Sequence, residues 1–154
     1  MKEVVHIGAD HAGFELKEYL KQHLIKKGYQ VYDAGAHAID KHDDYPDYAL
    51  KVAREVSENQ DSKGILCCGS AQGMCIVANK LAGVRAVAVR DVKEARVTRT
   101  HNNANVLCLA GWRISQPNAA KIVDAWLTTL FSNEPRHVRR LQKITDSENR
   151  AREG

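Results

Sequence analysis

Two kinds of hydrophobic pattern alternate along the chain. Short continuous apolar runs, such as Gly64-Ile65-Leu66-Cys67, are typical of strands that are buried on both faces. Between these runs lie longer stretches with apolar residues at helical spacing, as in residues 13–27 and 117–131. The pattern predicts strands at residues 4–8, 30–33, 64–68, 84–89 and 105–110, and helices at 13–27, 48–58, 73–81, 92–100, 117–131 and 136–150.

Strands that alternate with helices predict βαβ units and a parallel sheet. We therefore expect an α/β fold, a three-layer αβα sandwich with a Rossmann-like five-stranded parallel sheet. The chain has 154 residues and shows no repeat or linker, so we expect one domain over residues 1–154 with a last helix at about 136–150. In open parallel sheets ligands bind beyond the carboxyl ends of the strands, and polar residues at those ends are the candidates for a site.

Composition and charge exclude several classes of partner. The chain is 44% hydrophobic and 27% charged, which is typical of a soluble globular domain. No apolar run approaches the ~20 residues of a membrane span, and the start lacks the long apolar stretch of a signal peptide, so we expect no membrane partner and a cytoplasmic location. The net charge is +4, but acidic residues are interspersed among the basic ones and no basic and aromatic stripe occurs. Nucleic-acid binding is therefore not expected.

The four cysteines indicate neither a disulfide framework nor a metal site. Cys67 and Cys68 are adjacent, while Cys75 and Cys108 are single, and no Cys-x-x-Cys or zinc spacing occurs. We expect Cys67 and Cys108 to be core residues, because free cysteine is among the most buried residue types. No metal and no cofactor are expected.

The most informative segment is Cys68-Gly69-Ser70-Ala71-Gln72-Gly73, where a predicted strand ends and a predicted helix begins. Free N–H groups and the positive dipole end of a helix favour a thiolate and stabilise an anionic intermediate beside it. We therefore expect a lowered pKa at Cys68. The segment lacks the glycine fingerprints of nucleotide sites and the Cys-x5-Arg pattern of phosphatases, since Met74 stands at the arginine position. A tight turn that needs small residues is the alternative interpretation.

Three other groups of residues each allow a structural and a functional interpretation. Asp10 follows the first strand and suits a helix cap, whereas the neighbouring His11 adds a titratable group. His101 opens an asparagine-rich turn of a kind that is common on steric grounds. Arg136 and Arg140 share one helix face, which suits either a phosphate or a solvated basic surface.

The ordered set of these segments resembles the ribose-5-phosphate isomerase type B family, with its relatives the galactose-6-phosphate and allose-6-phosphate isomerases. The resemblance runs from residue 4 to about residue 145. Its matching segments are Gly8-Ala9-Asp10-His11-Ala12-Gly13-Phe14, Asp44-Tyr45-Pro46-Asp47-Tyr48-Ala49, residues 64–73, Ala78-Asn79-Lys80, Gly83-Val84-Arg85-Ala86, His101-Asn102-Asn103-Ala104-Asn105-Val106-Leu107, Gly111-Trp112-Arg113 and Arg136-His137.

The resemblance implies a metal-free aldose–ketose isomerase that acts on a phosphorylated sugar. Ribose 5-phosphate and ribulose 5-phosphate are the leading pair, and allose 6-phosphate, galactose 6-phosphate or a four-carbon sugar phosphate are alternatives. A non-catalytic phosphosugar-binding protein is a third interpretation. The resemblance also implies the strand order 2-1-3-5-4 and a homodimer with active sites between subunits, with tetramers as a further option.

The family's residue roles carry over to matching positions of this sequence. The implied catalytic residues are Cys68 as the base between C1 and C2, Ser70 beside the enediolate, and His101 with Asp10 for ring opening. The implied phosphate ligands are His11, Arg113, Arg136 and Arg140. The other implied substrate-binding residues are Tyr45, Asn102 and the loop positions Gly69, Ala71 and Gly73.

The loop departs from the family pattern at Ala71 and Gln72, where many members have glycine and a small apolar residue. If position 71 requires a positive φ, alanine costs about 1 kcal/mol there. Gln72 becomes a candidate substrate contact. A branch of the family uses a glutamate as the base at the position of Met74. The methionine of this chain cannot act as a base there. Cys75 is a weaker candidate than Cys68, because it lies inside the predicted helix.

Overall fold

The computed structural model describes residues 2–154 and contains one sheet of five parallel strands. The strands are β1 (Val4–Ala9), β2 (Gln30–Asp33), β3 (Lys63–Cys68), β4 (Ala86–Ala88) and β5 (Val106–Ala110). Their order is β2-β1-β3-β5-β4. Both the predicted parallel sheet and the order implied by the resemblance are confirmed.

Six helices connect the strands and follow the last one. They are α1 (Phe14–Lys26), α2 (Tyr45–Glu58), α3 (Gln72–Ala78), α4 (Val92–Asn102), α5 (Gln116–Thr128) and α6 (Pro135–Glu153). Four helix ends differ from the predicted bounds by three residues: α3 and α5 end early, α6 ends late, and α2 begins early. α2 can begin early because Pro46 in its first turn needs no hydrogen-bond acceptor. β4 is shorter than predicted and pairs only with β5. No helix among residues 2–154 is long and apolar enough to cross a membrane.

Two hydrophobic clusters lie on opposite faces of the sheet. One joins α1, α4 and α5 to the sheet and contains Cys67, and the other joins α2 and α3 to it and contains Cys68 and Cys108. Because side chains alternate along a strand, the adjacent Cys67 and Cys68 point to different faces. Cys67 and Cys108 are fully buried, which confirms their predicted place in the core.

The carboxyl ends of β1, β3 and β5 approach one another so closely that only glycine fits between them. A Cβ atom at Gly13, just after β1, would lie 2.0 Å from the carbonyl oxygen of Cys67. A Cβ atom at Gly111, just after β5, would lie 2.8 Å from the carbonyl oxygen of Ala12. Gly111 also donates its N–H to the carbonyl of Cys68 at 2.7 Å. These contacts position the segments that carry the predicted site residues.

The residue before α3 is strained. Ala71 has φ 68° and ψ −15°, in the left-handed region that alanine disfavours. The positive φ that the sequence left conditional is therefore present, and it turns the chain sharply from the end of β3 into α3.

Replacing Gly13 with alanine should destabilise the protein by about 3 kcal/mol, because the added methyl group meets rigid backbone. Gly28→Ala is the matched control: Gly28 has φ +88° and no atom within 4 Å of its Cβ position, so only the backbone conformation costs about 1 kcal/mol. Urea unfolding at fixed protein concentration measures both changes. Equal losses in the two variants would contradict the close approach.

Replacing Ala71 with glycine should raise the free energy of unfolding by about 0.5 to 1 kcal/mol, since glycine adopts the left-handed conformation without strain. The control is Ala125→Gly inside α5, where the same change should lower stability by about 1 kcal/mol or more. A loss of stability in the Ala71 variant would show that its backbone is not under strain.

Candidate active site

The site is centred on the crevice between β1 and β3. From β1 the sheet extends to β2 in one direction and to β3 in the other, which is the point where open parallel sheets bind ligands. The turn after β1 carries Asp10 and His11, and the loop after β3 follows Cys68. We call this side of the sheet, where the strands end, the carboxyl end, and the opposite side the amino end.

Cys68 is the last residue of β3, and only 4% of it is exposed. The backbone N–H groups of Ser70 and Ala71 in the following loop, and of Met74 in the first turn of α3, act on the thiol and favour its ionised form. The Ser70 hydroxyl oxygen accepts a hydrogen bond from the N–H of Gln72 at 3.4 Å. The loop therefore brings backbone donors and a nucleophilic atom together, as the sequence predicted.

The expected lowering of the Cys68 pKa is wrong for this chain. Burial raises the pKa of the Cys68 thiol above its ordinary value, although the N–H groups of Met74, Ala71 and Ser70 lower it. The nearby Asp10 carboxylate raises it further. The sequence showed the donors at the start of α3 but could not show how much water the surrounding chain removes.

Two aromatic rings pack against the loop so closely that a side chain larger than glycine would overlap them at positions 69 and 73. A Cβ atom at Gly69 would lie 2.4 Å from the ring of Trp112, and one at Gly73 would lie 2.6 Å from the ring of Tyr45. Tyr45 was a predicted site residue and begins α2. Trp112 was missed as a contact of this loop: 73% of it is exposed, and it follows β5. The available signal in the sequence was its position beside Arg113, just after the predicted strand at 105–110, where site residues were expected.

The turn after β1 is held by its own carboxylate. Oδ1 of Asp10 accepts hydrogen bonds from the backbone N–H groups of Ala12 and Gly13 at 3.0 and 3.1 Å. The prediction that Asp10 caps the helix is wrong, because Gly13 is the N-cap of α1 and the Asp10 carboxylate instead holds the turn before it. The Asp10 side chain is also buried beside Cys68. Burial raises the pKa of Asp10, and the N–H of Gly13 opposes that rise.

His11 is paired with a residue that the sequence did not single out. Its Nδ1 lies 2.6 Å from Oδ1 of Asp43, and the same oxygen accepts the His11 backbone N–H at 3.2 Å. Asp43 belongs to the polar loop between β2 and α2, and its side chain is only 5% exposed. This hydrogen bond is the main cause that raises the pKa of His11.

Asp10, His11 and Asp43 form the one cluster within residues 2–154 that could hold a metal ion, with ligand atoms within 4.8 Å of one another. Their hydrogen bonds already account for this proximity, since Asp10 caps the turn and His11 donates to Asp43. Nothing else in the cluster points to a cation.

A second part of the site opens on the other side of the loop. A cavity of about 840 Å³ is lined by Ser70, Ala71, Gln72, Trp112 and Arg113, among others. Arg113 is exposed and follows β5 at the carboxyl end. The structure thus brings the predicted Arg113 and Gln72, a candidate substrate contact, to one cavity beside the loop that follows Cys68.

Four predicted residues lie at the amino end of the sheet. α4 starts after β4 and ends before β5, so the last turn of this helix, with His101 and Asn102, lies where β5 begins. The His101 ring packs against the ring of His137 with centroids 4.5 Å apart. Arg136 and Arg140 are on the first turns of α6, next to His137, and both are exposed.

One chain therefore does not bring all the predicted site residues together. Cys68 lies at the end of β3, whereas His101 lies beyond the start of the neighbouring strand β5. Five strand residues at about 3.3 Å each place the two groups about 16 Å apart or more along the strand direction. No side-chain rotation spans that distance, so the histidine and the thiol of one chain cannot act on the same sugar.

Cys75 lies outside this arrangement. It sits inside α3, as predicted, and its sulfur is 3.4 Å from the carbonyl oxygen of Ala86 in β4. The side chain therefore packs between helix and sheet. Cys68 remains the thiol at the loop.

The chain matches the family model described as ribose/galactose isomerase over residues 5–144. It is 39% identical to ribose-5-phosphate isomerase B of Escherichia coli strain K12 over 150 residues, which cover 97% of this chain and 99% of that protein. It is similar to the crystal structure of ribose-5-phosphate isomerase B from Mycoplasma genitalium with bound ribulose-5-phosphate, with a TM-score of 0.93 at 42% identity, covering 97% of this chain and 98% of that one. The type B ribose 5-phosphate isomerase of Trypanosoma cruzi gives a TM-score of 0.93 at 36% identity, covering 98% and 99%. This chain belongs to the ribose/galactose isomerase family.

Proposed function

We propose that this chain is an aldose–ketose isomerase that interconverts ribose 5-phosphate and ribulose 5-phosphate. The observation that carries the proposal is the buried Cys68 thiol beneath the backbone N–H groups of Ser70, Ala71 and Met74. Relatives that cover nearly the whole chain are ribose-5-phosphate isomerases B, and one of their structures holds ribulose-5-phosphate.

In the proposed reaction the Cys68 thiolate removes the proton from C2 of open-chain ribose 5-phosphate. The electron pair of that bond moves toward O1 and gives an enediolate. Backbone donors that are fixed before the reaction stabilise the developing oxyanion, and one such donor contributes about 3 kcal/mol. The cysteine then returns the proton to C1 while the O2 proton passes to O1, which leaves a hydroxyl group at C1 and the carbonyl of ribulose 5-phosphate at C2.

The raised pKa of Cys68 is compatible with this role. A base whose pKa lies above the operating pH is mostly protonated in the free protein but is a stronger base once ionised.

We further propose that the working site is formed by two chains related by two-fold symmetry. The carboxyl end of one chain supplies Cys68, Asp10 and the loop, and the amino end of its partner supplies His101 for ring opening. The separation of these groups within one chain supports this arrangement. Arg136 and Arg140 of the second chain would then join His11 and Arg113 of the first around the phosphate, where guanidinium groups bind bidentately.

The proposal predicts turnover of ribose 5-phosphate by the purified protein in the presence of a chelator. Cys68→Ala should lower kcat by about 10³-fold, because the proton-transfer group is lost, while binding of ribulose 5-phosphate is retained. The matched control is Cys75→Ala, which should keep kcat within about threefold, because its sulfur packs against β4. A spectrophotometric assay for the ketose measures both variants.

Three results would count against the proposal. Full activity in Cys68→Ala would remove this thiol from the chemistry, and loss of activity with chelator would require a metal. An inactive wild-type protein would contradict the pentose assignment. Turnover of six-carbon or four-carbon phosphosugars would then replace it, and binding without turnover of any of them would favour a phosphosugar-binding protein.

A further inference from the structure

We propose that Asp43 is a positioning residue for the substrate phosphate: its carboxylate keeps His11 protonated and fixes its ring, so that His11 offers a charged N–H donor. This inference rests on the proposed function, in which His11 is a phosphate ligand. It adds a residue to the site from the loop between β2 and α2.

The geometry of the Asp43 carboxylate carries the proposal. Its Oδ1 accepts two hydrogen bonds from one residue, the ring Nδ1 of His11 at 2.6 Å and the backbone N–H of His11 at 3.2 Å. These two bonds fix both the ring and the turn that carries it. Because Nδ1 is engaged, Nε2 is the ring nitrogen available to a ligand, and 35% of the His11 side chain is exposed to receive one.

The Asp43 carboxylate is buried, so a positive charge on His11 also stabilises Asp43. The Asp43 side chain is 5% exposed, and its second oxygen, Oδ2, is buried without a hydrogen-bond partner. A buried carboxylate needs a nearby positive charge to offset its lost hydration. The imidazolium form of His11 provides that charge, with its Nδ1 2.6 Å from Oδ1 of Asp43.

The charged groups around His11 all raise its pKa. The hydrogen bond to Asp43 is the main cause that raises the pKa of His11, and the charges of Asp10, Asp43 and Asp40 add to it, while burial opposes them. The hydroxyl of Tyr48, on α2, also lies against Asp43, and its pKa is raised by burial and by that carboxylate. All the charged groups that act on His11 are therefore acidic.

The loop holds Asp43 in place through contacts far from the ligand. Its backbone N–H donates to the carbonyl of Asp40 at 3.1 Å. Earlier in the loop, Ala36 donates to the carbonyl of Ala9 at the end of β1 at 2.7 Å, and the buried Lys17 binds both Asp33 and the carbonyl of Ala36. The loop is thus attached to the same strand that positions His11.

Asp43→Asn tests the proposal, because the amide keeps the shape and an acceptor oxygen but removes the charge. At pH 7.5 we expect the KM for ribose 5-phosphate to rise about fivefold, the difference between a charge-assisted and a neutral hydrogen bond, with kcat little changed. Below the ordinary histidine pKa of about 6.5 both proteins carry the imidazolium, so the KM values should converge by about pH 6. Asp47→Asn, an exposed change of the same charge on α2, should leave KM unchanged.

Two further measurements separate positioning from a structural role. An NMR titration of the free protein, with the His11 signal assigned from His11→Gln, should show a lower midpoint in Asp43→Asn than in the wild type. In a His11→Gln background the Asp43 change should add no further rise in KM, because Asp43 acts through His11.

An unchanged His11 midpoint in Asp43→Asn would overturn the proposal. So would a pH-independent rise in KM, or an equal rise in the His11→Gln background, since either shows a structural effect. The titration needs no substrate, so it decides the pairing even for a wild-type protein that failed to turn over ribose 5-phosphate. That failure would reject the proposed function alone.

Discussion

The close approach of β1, β3 and β5 at their carboxyl ends is the constraint on which the site depends. It requires glycine at positions 13 and 111, where a methyl group would meet backbone oxygen. It places the Asp10 turn against Cys68 and lets the chain after β5 bond back to the loop, where the Trp112 N–H donates to the carbonyl of Gly69 at 3.1 Å. The segment that carries Cys68 is thus held by backbone contacts, which do not depend on side-chain rotamers.

The same packing shifts the pKa values of two groups at the carboxyl end of the sheet, Cys68 and His11. At Cys68, removal of water outweighs the backbone donors and raises the pKa of the thiol. At His11, the hydrogen bond to the Asp43 carboxylate outweighs the effect of burying the imidazole, and the pKa of His11 rises. In the proposed site, these two shifts suit a buried thiol that acts as a base and a partly exposed imidazolium that binds an anion. Both groups lie at the carboxyl ends of neighbouring strands, since β1 pairs with β3.

Much of this could be predicted from the sequence, because the relevant signals are local. Apolar runs and helical spacing indicated the sheet and its helices, and the small residues after Cys68 indicated the loop. The Cys68 pKa could not be predicted, since burial depends on α2 and α3 packing over the strand. Asp43 was missed because it lies 32 residues from His11 in a polar loop without periodicity. His101, in contrast, precedes the predicted strand at 105–110, so the predicted elements already placed it at the end of the sheet opposite Cys68.

The division of the site between two chains is the central claim, and mixing two inactive variants tests it most directly. Cys68→Ala and His101→Asn, coexpressed with different affinity tags, give a mixed dimer that sequential purification isolates. If each site takes Cys68 from one chain and His101 from the other, one of its two sites is intact, and the mixed dimer should recover about half of the wild-type activity. If both residues of a site came from the same chain, neither site would be intact. A mixed dimer as inactive as its parents would therefore contradict the account.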